Sequence, residues 1–212
     1  MNLSKGKIAA LLILTLSFPC LGHAMAGAKD VQSKAAALQQ AYVWYDGDHE
    51  RQVWLDPGLV AEFNAGEVNA AQSSVKSVYA DAVRMPKRYG VVSIWRLGEG
   101  TSSDAAISKL SAVSQPGKYS PVLHDSPSSQ GRMRALPGNI IVYLDPAWNS
   151  EAVNAWAGKH QLEIVRKLEI GPNIYLIRTG TGLEALNTAN ALYRSGDVVA
   201  AFPDWWEEKT TR

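Results

Sequence analysis

The chain has 212 residues and a net charge of +1, with 46% hydrophobic and 19% charged residues. That length provides a core able to fold without disulfide staples and points to one or two domains. The composition excludes disordered, collagen-like and strongly basic nucleic-acid-binding classes.

At the N-terminus, Lys5 and Lys7 precede the apolar run Ile8 to Phe18, and Gly22-His23-Ala24-Met25-Ala26 follows. The run is shorter than the ~20 residues a membrane-crossing helix needs. Residues 1–26 therefore read as a signal peptide cleaved after Ala26 or, alternatively, Ala24. The protein is expected in the periplasm or outside the cell, with no stable membrane anchor after cleavage. Cys20, the single cysteine, stands behind Ser17, Phe18 and Pro19 rather than the small residues of a lipoprotein signal, and it leaves with the peptide. A mature chain without cysteine has neither disulfide nor catalytic thiol. Loss of Lys5 and Lys7 moves the net charge from +1 to −1, which gives no electrostatic reason to bind nucleic acid or anionic membrane.

Residues 41–125 form the first α+β half. A hairpin runs from Tyr42–Tyr45 through Asp46-Gly47 to Gln52–Leu55. The stripe Val68, Ala71, Val75, Val78, Tyr79, Ala82 has helical spacing. Val91 to Leu97 reads as a strand, and Thr101 with Asp104 opens a helix whose face is Ile107, Leu110 and Val113. The stretch Ser114 to Gly138 is rich in Pro, Gly and Ser, so it should hold at most one short strand, Tyr119 to His124, with 126–138 as a linker.

The second half, 139–206, is punctuated more sharply. Asn139 to Leu144 is an apolar strand closed by Asp145-Pro146. Asn149 or Ser150 caps a helix with the stripe Ala152, Val153, Trp156, Ala157, His160. Leu162, Ile164 and Leu168 lie on one side of a strand, Gly171-Pro172-Asn173 is a turn, and Ile174 to Arg178 is the next strand. Thr181 and Glu184 have capping-box spacing before the stripe Ala185, Leu186, Ala189, Leu192, Tyr193, and Gly196 marks the stop. Val198 to Phe202 is the last strand, ended by Pro203, and 207–212 is a tail. The order β-α-β-β-α-β predicts a ferredoxin-like split β-α-β antiparallel sheet. Val53-Trp54-Leu55-Asp56-Pro57 echoes Val142-Tyr143-Leu144-Asp145-Pro146, and the strand, helix and strand behind it recur in the same succession. The first half thus reads as a degenerate, related copy.

Chemistry-bearing patterns are sparse. No G-x-S-x-G elbow occurs, and His49, His124 and His160 lie in a turn, a linker and a helix end. Gly100-Thr101-Ser102 reads as a helix cap. Asp46, Asp48, His49 and Glu50 lack ligand spacing, so no metal or other cofactor is expected. Glu207 and Glu208 are adjacent and point apart, unlike a general acid-base pair. No catalytic residue is assigned, and an enzyme is not expected. Tryptophan is in excess at seven residues. Trp205 and Trp206 are neighbours in an extended segment and face opposite ways, so either this chain covers both sides or a partner does.

The run Leu136-Pro137-Gly138-Asn139-Ile140-Ile141-Val142, the helix ending in Lys159-His160, Leu162-Glu163-Ile164-Val165-Arg166, Gly171-Pro172-Asn173-Ile174-Tyr175-Leu176-Ile177 and Val198 to Trp206 carry a resemblance. Over this last third the chain resembles the N-terminal prodomain of secreted subtilisin-like serine proteases. In that family the prodomain packs its sheet on two surface helices of the protease, templates folding, and then inhibits with the segment after its last strand. The resemblance implies a chaperone and inhibitor. Because the chain stops at Arg212, where the protease's Asp, His and Ser segments would begin, the expectation is action in trans on a cognate subtilisin-like protease. The tail Glu207, Glu208, Lys209, Thr210, Thr211 and Arg212 is then the candidate strand in the protease cleft, with Trp205 and Trp206 as candidate anchors. Glu163 and Glu169 are candidate caps for partner helices. The alternative is a stand-alone exported inhibitor or a peptide- or glycan-binding protein without foldase activity.

Overall fold

The computed structural model describes residues 38–63, 73–86, 92–113 and 118–209. The signal-peptide reading, Val68, Ala71, Val91 and the tail residues Thr210, Thr211 and Arg212 lie outside the described residues. The fold is mixed α+β, with two antiparallel sheets and, among the described residues, four helices.

The first half runs β1 (Ala41–Asp46), β2 (His49–Phe63), α1 (Ser74–Val78), β3 (Val83–Arg84), β4 (Val92–Arg96), α2 (Ser103–Val113) and β5 (Tyr119–His124). The hairpin turns at Gly47-Asp48, one residue later than the sequence indicates. Asp46 pairs with His49 there, and Gly47 supplies the positive φ of +63° that the tight turn requires. β2 does not stop at Asp56-Pro57 as its echo stops at Asp145-Pro146. Pro57 falls where the ladder to β5 shifts register, between Asp56 and Val60, and a bulge asks no regular N–H of it. α1 starts on Ser73, whose hydroxyl oxygen accepts from the Val75 and Lys76 N–H groups. The same hydroxyl donates to Glu62 Oε2 at 2.7 Å, and Trp95 Nε1 donates to that oxygen at 2.9 Å, which satisfies a buried carboxylate. At α2, Ser102 rather than Thr101 receives a helix N–H, from Ala105 at 3.3 Å. The buried stripe is Ser103, Ala106 and Leu110, and Val113 is exposed. Small Ala106 lets the helix lie close on Trp95 and Tyr119.

The stretch 126–138 also carries a strand, β6 (Met133–Ala135), which its Pro, Gly and Ser content conceals. The second half then runs β7 (Asn139–Tyr143), α3 (Ser150–Lys159), β8 (Glu163–Lys167), β9 (Ile174–Arg178), α4 (Leu183–Ser195) and β10 (Ala200–Pro203), and β11 (Trp206–Glu207) follows. Asn149 caps α3, its Oδ1 accepting from Ala152 N–H at 2.9 Å. Asn173, at φ +49°, donates from Nδ2 to the carbonyls of Asp145 and Trp148, both at 2.8 Å, and so ties the β8–β9 turn to the start of α3. The start of α4 differs from the capping box expected at Thr181. Gly182 is the N-cap, Glu184 reaches back to the Gly180 N–H at 3.2 Å, and Thr181 donates its hydroxyl to the Pro137 carbonyl instead. Gly196 closes α4 in the left-handed conformation at φ +74°.

The four-stranded sheet has the order β10-β7-β9-β8, with every pairing antiparallel. The larger sheet reads β11-β6-β5-β2-β4-β3, with β1 also on β2. Within it β5-β2-β4-β3 repeats the neighbour order of the smaller sheet, and α1 and α2 stand in sequence where α3 and α4 stand later.

Three clusters make the core. α3 and α4 bury Val153, Trp156, Ala157, Leu186, Ala189 and Leu192 against Ile140, Val142 and Ile177 of the smaller sheet. Trp44, Val53 and Leu123 of the first half, with Leu136 from the 126–138 stretch itself, complete that cluster, so one hydrophobic core spans both halves. The remaining clusters lie in the larger sheet. Val60, Trp95 and Tyr119 meet Val75, Ala106 and Leu110 of α1 and α2, while Leu59, Ala61, Val92, Ile94, Val122, Met133 and Ala135 form the other, with Trp206 packed against it.

Candidate partner-binding surfaces

Antiparallel residues paired across a ladder share a face. Phe202, Ile141, Leu176 and Arg166 therefore form one row across β10, β7, β9 and β8, and Ala200, Tyr143 and Ile174 form the next. These rows lie on the face opposite Ile140, Val142 and Ile177, away from α3 and α4. Ile141, Tyr143, Leu176 and Phe202 are half-buried, and the Tyr143 and Phe202 rings meet edge to face at 5.7 Å. An apolar band with a charged margin is thus left partly open. The edge strand β8 is protected against further pairing by a bulge at Val165, between Ile164 and Arg166, and by its charges. Glu163, on β8, accepts from Arg178 Nε at 2.9 Å. Glu169 is exposed next to the β8–β9 turn, beside Ile170 at 68% exposure.

The terminal residues are held inside the chain as far as Glu208. Trp205 meets Trp44 edge to face at 5.6 Å, and the Arg134 guanidinium carbon lies 5.6 Å from the centre of each ring. Trp206 pairs with Ala135 and Glu207 with Arg134 in the β11–β6 ladder. Glu207 bonds the guanidinium groups of both Arg134 and Arg132, the latter at 3.3 Å. Glu208 N–H donates to Met133 O at 2.9 Å, and Lys209 is exposed. The two tryptophans that face opposite ways along the chain are accordingly covered from two sides by this chain, Trp205 by Trp44 and Trp206 by the third cluster. Nothing local in the sequence signals this, because the ladder partners of β11 lie some seventy residues upstream. None of the seven tryptophans is exposed.

One titratable pair has no local signature in the sequence. His124, buried in β5, has Nε2 at 3.2 Å from Asp56 Oδ2 and Nδ1 at 2.8 Å from Gly131 O. With both ring nitrogens engaged, neither is free to take a proton from a nucleophile. Among the described residues no three His, Cys, Asp or Glu side chains converge as metal ligands, and no helix is long and apolar enough to cross a membrane. The chain matches no protein-family model, no curated protein and no solved structure.

Proposed function

We propose that this protein is an exported chaperone and inhibitor of a subtilisin-like serine protease, acting on a protease supplied as a separate chain. On this reading residues 139–203 are a ferredoxin-like split β-α-β unit, and the first half is a diverged copy of it. The order β10-β7-β9-β8 with antiparallel pairing supports the first assignment, and the recurrence β5-β2-β4-β3 supports the second. The observation that carries the function is the partly open apolar band of Ile141, Tyr143, Leu176 and Phe202 on a sheet whose other face is filled by its own helices. Such a band, rimmed by Arg166 and the Glu163–Arg178 pair, has the character of a protein-binding surface.

The role has a simple energetic basis. A protease built on a parallel sheet must close long loops before its contacts reward it, so its folding barrier is high. A preformed surface that binds the folding transition state lowers that barrier. Binding the native protease as well stabilises it by mass action and blocks it. Because Glu207 and Glu208 are held by β6, the strand-like cleft segment on this reading is assigned to Lys209 and the residues after it.

The test is co-expression with secreted subtilisin-like protease domains lacking their own propeptides. Active protease should appear only with this chain. Leu176→Arg should remove both folding assistance and inhibition, while deletion of residues 209–212 should remove inhibition alone. Equal protease activity with and without the chain would overturn the proposal.

A further inference from the structure

We propose that His124 is a proton-operated latch on the C-terminal strand: its imidazolium form holds the loop leading into β6, and loss of the proton releases that loop and, with it, β11.

The side chain of His124 is 1% exposed, and each ring nitrogen faces an oxygen, Gly131 O at 2.8 Å from Nδ1 and Asp56 Oδ2 at 3.2 Å from Nε2. A carbonyl only accepts. Asp56 also accepts through Oδ1 from Gly58 N–H at 3.0 Å, as a carboxylate does. A neutral imidazole has one N–H, so either tautomer leaves a buried lone pair against an oxygen, whereas the imidazolium satisfies both. Burial alone would lower the proton affinity of the ring. The hydrogen bond to Asp56, the Gly131 carbonyl and the charges of Asp56 and Asp125 outweigh it, and His124 is raised above the ordinary 6.5.

The surrounding charges are few and placed. Asp56 and Gly58 come from β2, and Arg96 of β4 and Glu208 beyond β11 line the same cavity of about 360 Å³ as His124. Asp125 and Arg132 bracket the loop, Asp125 Oδ1 accepting from Arg132 N–H at 3.0 Å. Arg134 on β6 is turned to Glu207.

When the ring loses its proton, the charge-assisted bond from Nε2–H to Asp56 is the stronger one to keep. The contact surrendered is the one to Gly131. That residue immediately precedes Arg132, and β6 follows with Met133 and Arg134, so three of the bonds that hold the terminal segment (Arg132 and Arg134 to Glu207, Met133 O to Glu208 N–H) sit directly behind the released carbonyl.

The raised proton affinity fixes the sign. Stabilisation is complete below the unfolded value near 6.5 and is lost as pH rises through the folded midpoint. Between those midpoints the opening equilibrium grows by up to about tenfold per pH unit.

The experiment uses the full chain labelled with ¹⁵N. Ring nitrogen shifts of His124 and the exchange protection of the Glu208 amide, corrected for intrinsic exchange, are followed from pH 6 to 9. A doubly protonated ring at pH 6.5 and Glu208 protection that falls with the same midpoint, while amides of β7 and β9 hold theirs, is the expected result. His124→Gln should give low protection that does not vary with pH, and Asp56→Asn should move the midpoint down. A singly protonated ring at pH 6.5 overturns the latch, as does Glu208 protection that follows pH identically in wild type and Asp56→Asn. The Asp56→Asn arm stands alone if His124→Gln does not fold.

Discussion

The two halves share a strand order but finish their sheets differently. Across β5, β2 and β4 both faces are buried, one under α1 and α2 and the other in the cluster that Trp206 joins, while β3 is exposed at the edge. In β10-β7-β9-β8 one face is filled by α3 and α4, and on the opposite face Ile141, Tyr143 and Leu176 stay half-buried, as does Phe202, which also packs against the main core cluster. The equivalence can be followed to single residues. Ile94, at the centre of β4, pairs with Ala61 of β2, while Leu176, at the centre of β9, pairs with Ile141 of β7. Ile94 is 1% exposed, and Leu176 is half-buried. Apolar area that the chain's own folding does not bury adds little to its stability, and on the proposed function it is the face that meets the protease.

The largest expected effect tests that difference directly. Ile94→Ala removes packing from a closed site and should cost about 2–5 kcal/mol. Leu176→Ala removes area still partly wet and should cost about 1 kcal/mol. Urea unfolding of the two variants measures both, and equal losses would mean that the smaller sheet's second face is core after all. Because Leu123 and Leu136 share a cluster with Ile140 and Ile177, each variant should unfold in a single transition.

A smaller effect probes the seam between halves. Asn190 on α4 donates from Nδ2 to the Val43 carbonyl of β1 at 2.8 Å, and Tyr193 stacks on Tyr45 at 4.3 Å. Asn190→Ala leaves the Val43 carbonyl without that donor and should lower the single transition by about 1–2 kcal/mol. If the halves were independent, the loss would fall on one of two separated transitions, which denaturation monitored by tryptophan fluorescence and by circular dichroism would resolve.

The second half is legible in the sequence because its boundaries are written in backbone chemistry. Pro146, Asn149, Gly171-Pro172-Asn173 and Gly196 each impose a local conformation that no distant partner is needed to explain. The recurring strand-helix-strand succession is readable for the same reason. What stays hidden depends on partners far along the chain. Asp56-Pro57 carries the same dipeptide as Asp145-Pro146, but its strand continues because β5 accommodates a register shift there. β6 is three residues with no periodicity to detect, and it exists because β5 and β11 flank it. His124 looks like a linker residue because its carboxylate partner is 68 positions away. For the candidate surface, alternation along β7 and β9 places Ile141 and Leu176 on one face, but only the register shows Phe202 and Arg166 continuing the row.

The smallest expected effect lies where the two sheets are joined. Asp204 links β10 of one sheet to β11 of the other, and its N–H donates to the Asn139 carbonyl at 3.0 Å. Burial raises the Asp204 carboxyl above the ordinary 3.8, and the Asn139 hydrogen bond and the Arg166 charge only partly offset it. A carboxyl raised in the folded state supplies stability below 3.8 that disappears as pH rises through its folded midpoint, so at neutral pH the charged form is a small burden. Asp204→Asn keeps the shape without the charge and should gain stability at pH 7, within about 0.5 kcal/mol. The difference from wild type should vanish on acidification, as thermal unfolding at pH 7 and at pH 3 would show. A variant less stable than wild type at pH 7 would instead mean that attraction to Arg166 outweighs the cost of burying the carboxylate. The charged margin would then help to hold the smaller sheet to the strand that leaves it, and the two halves would be coupled by charge as well as by their common core.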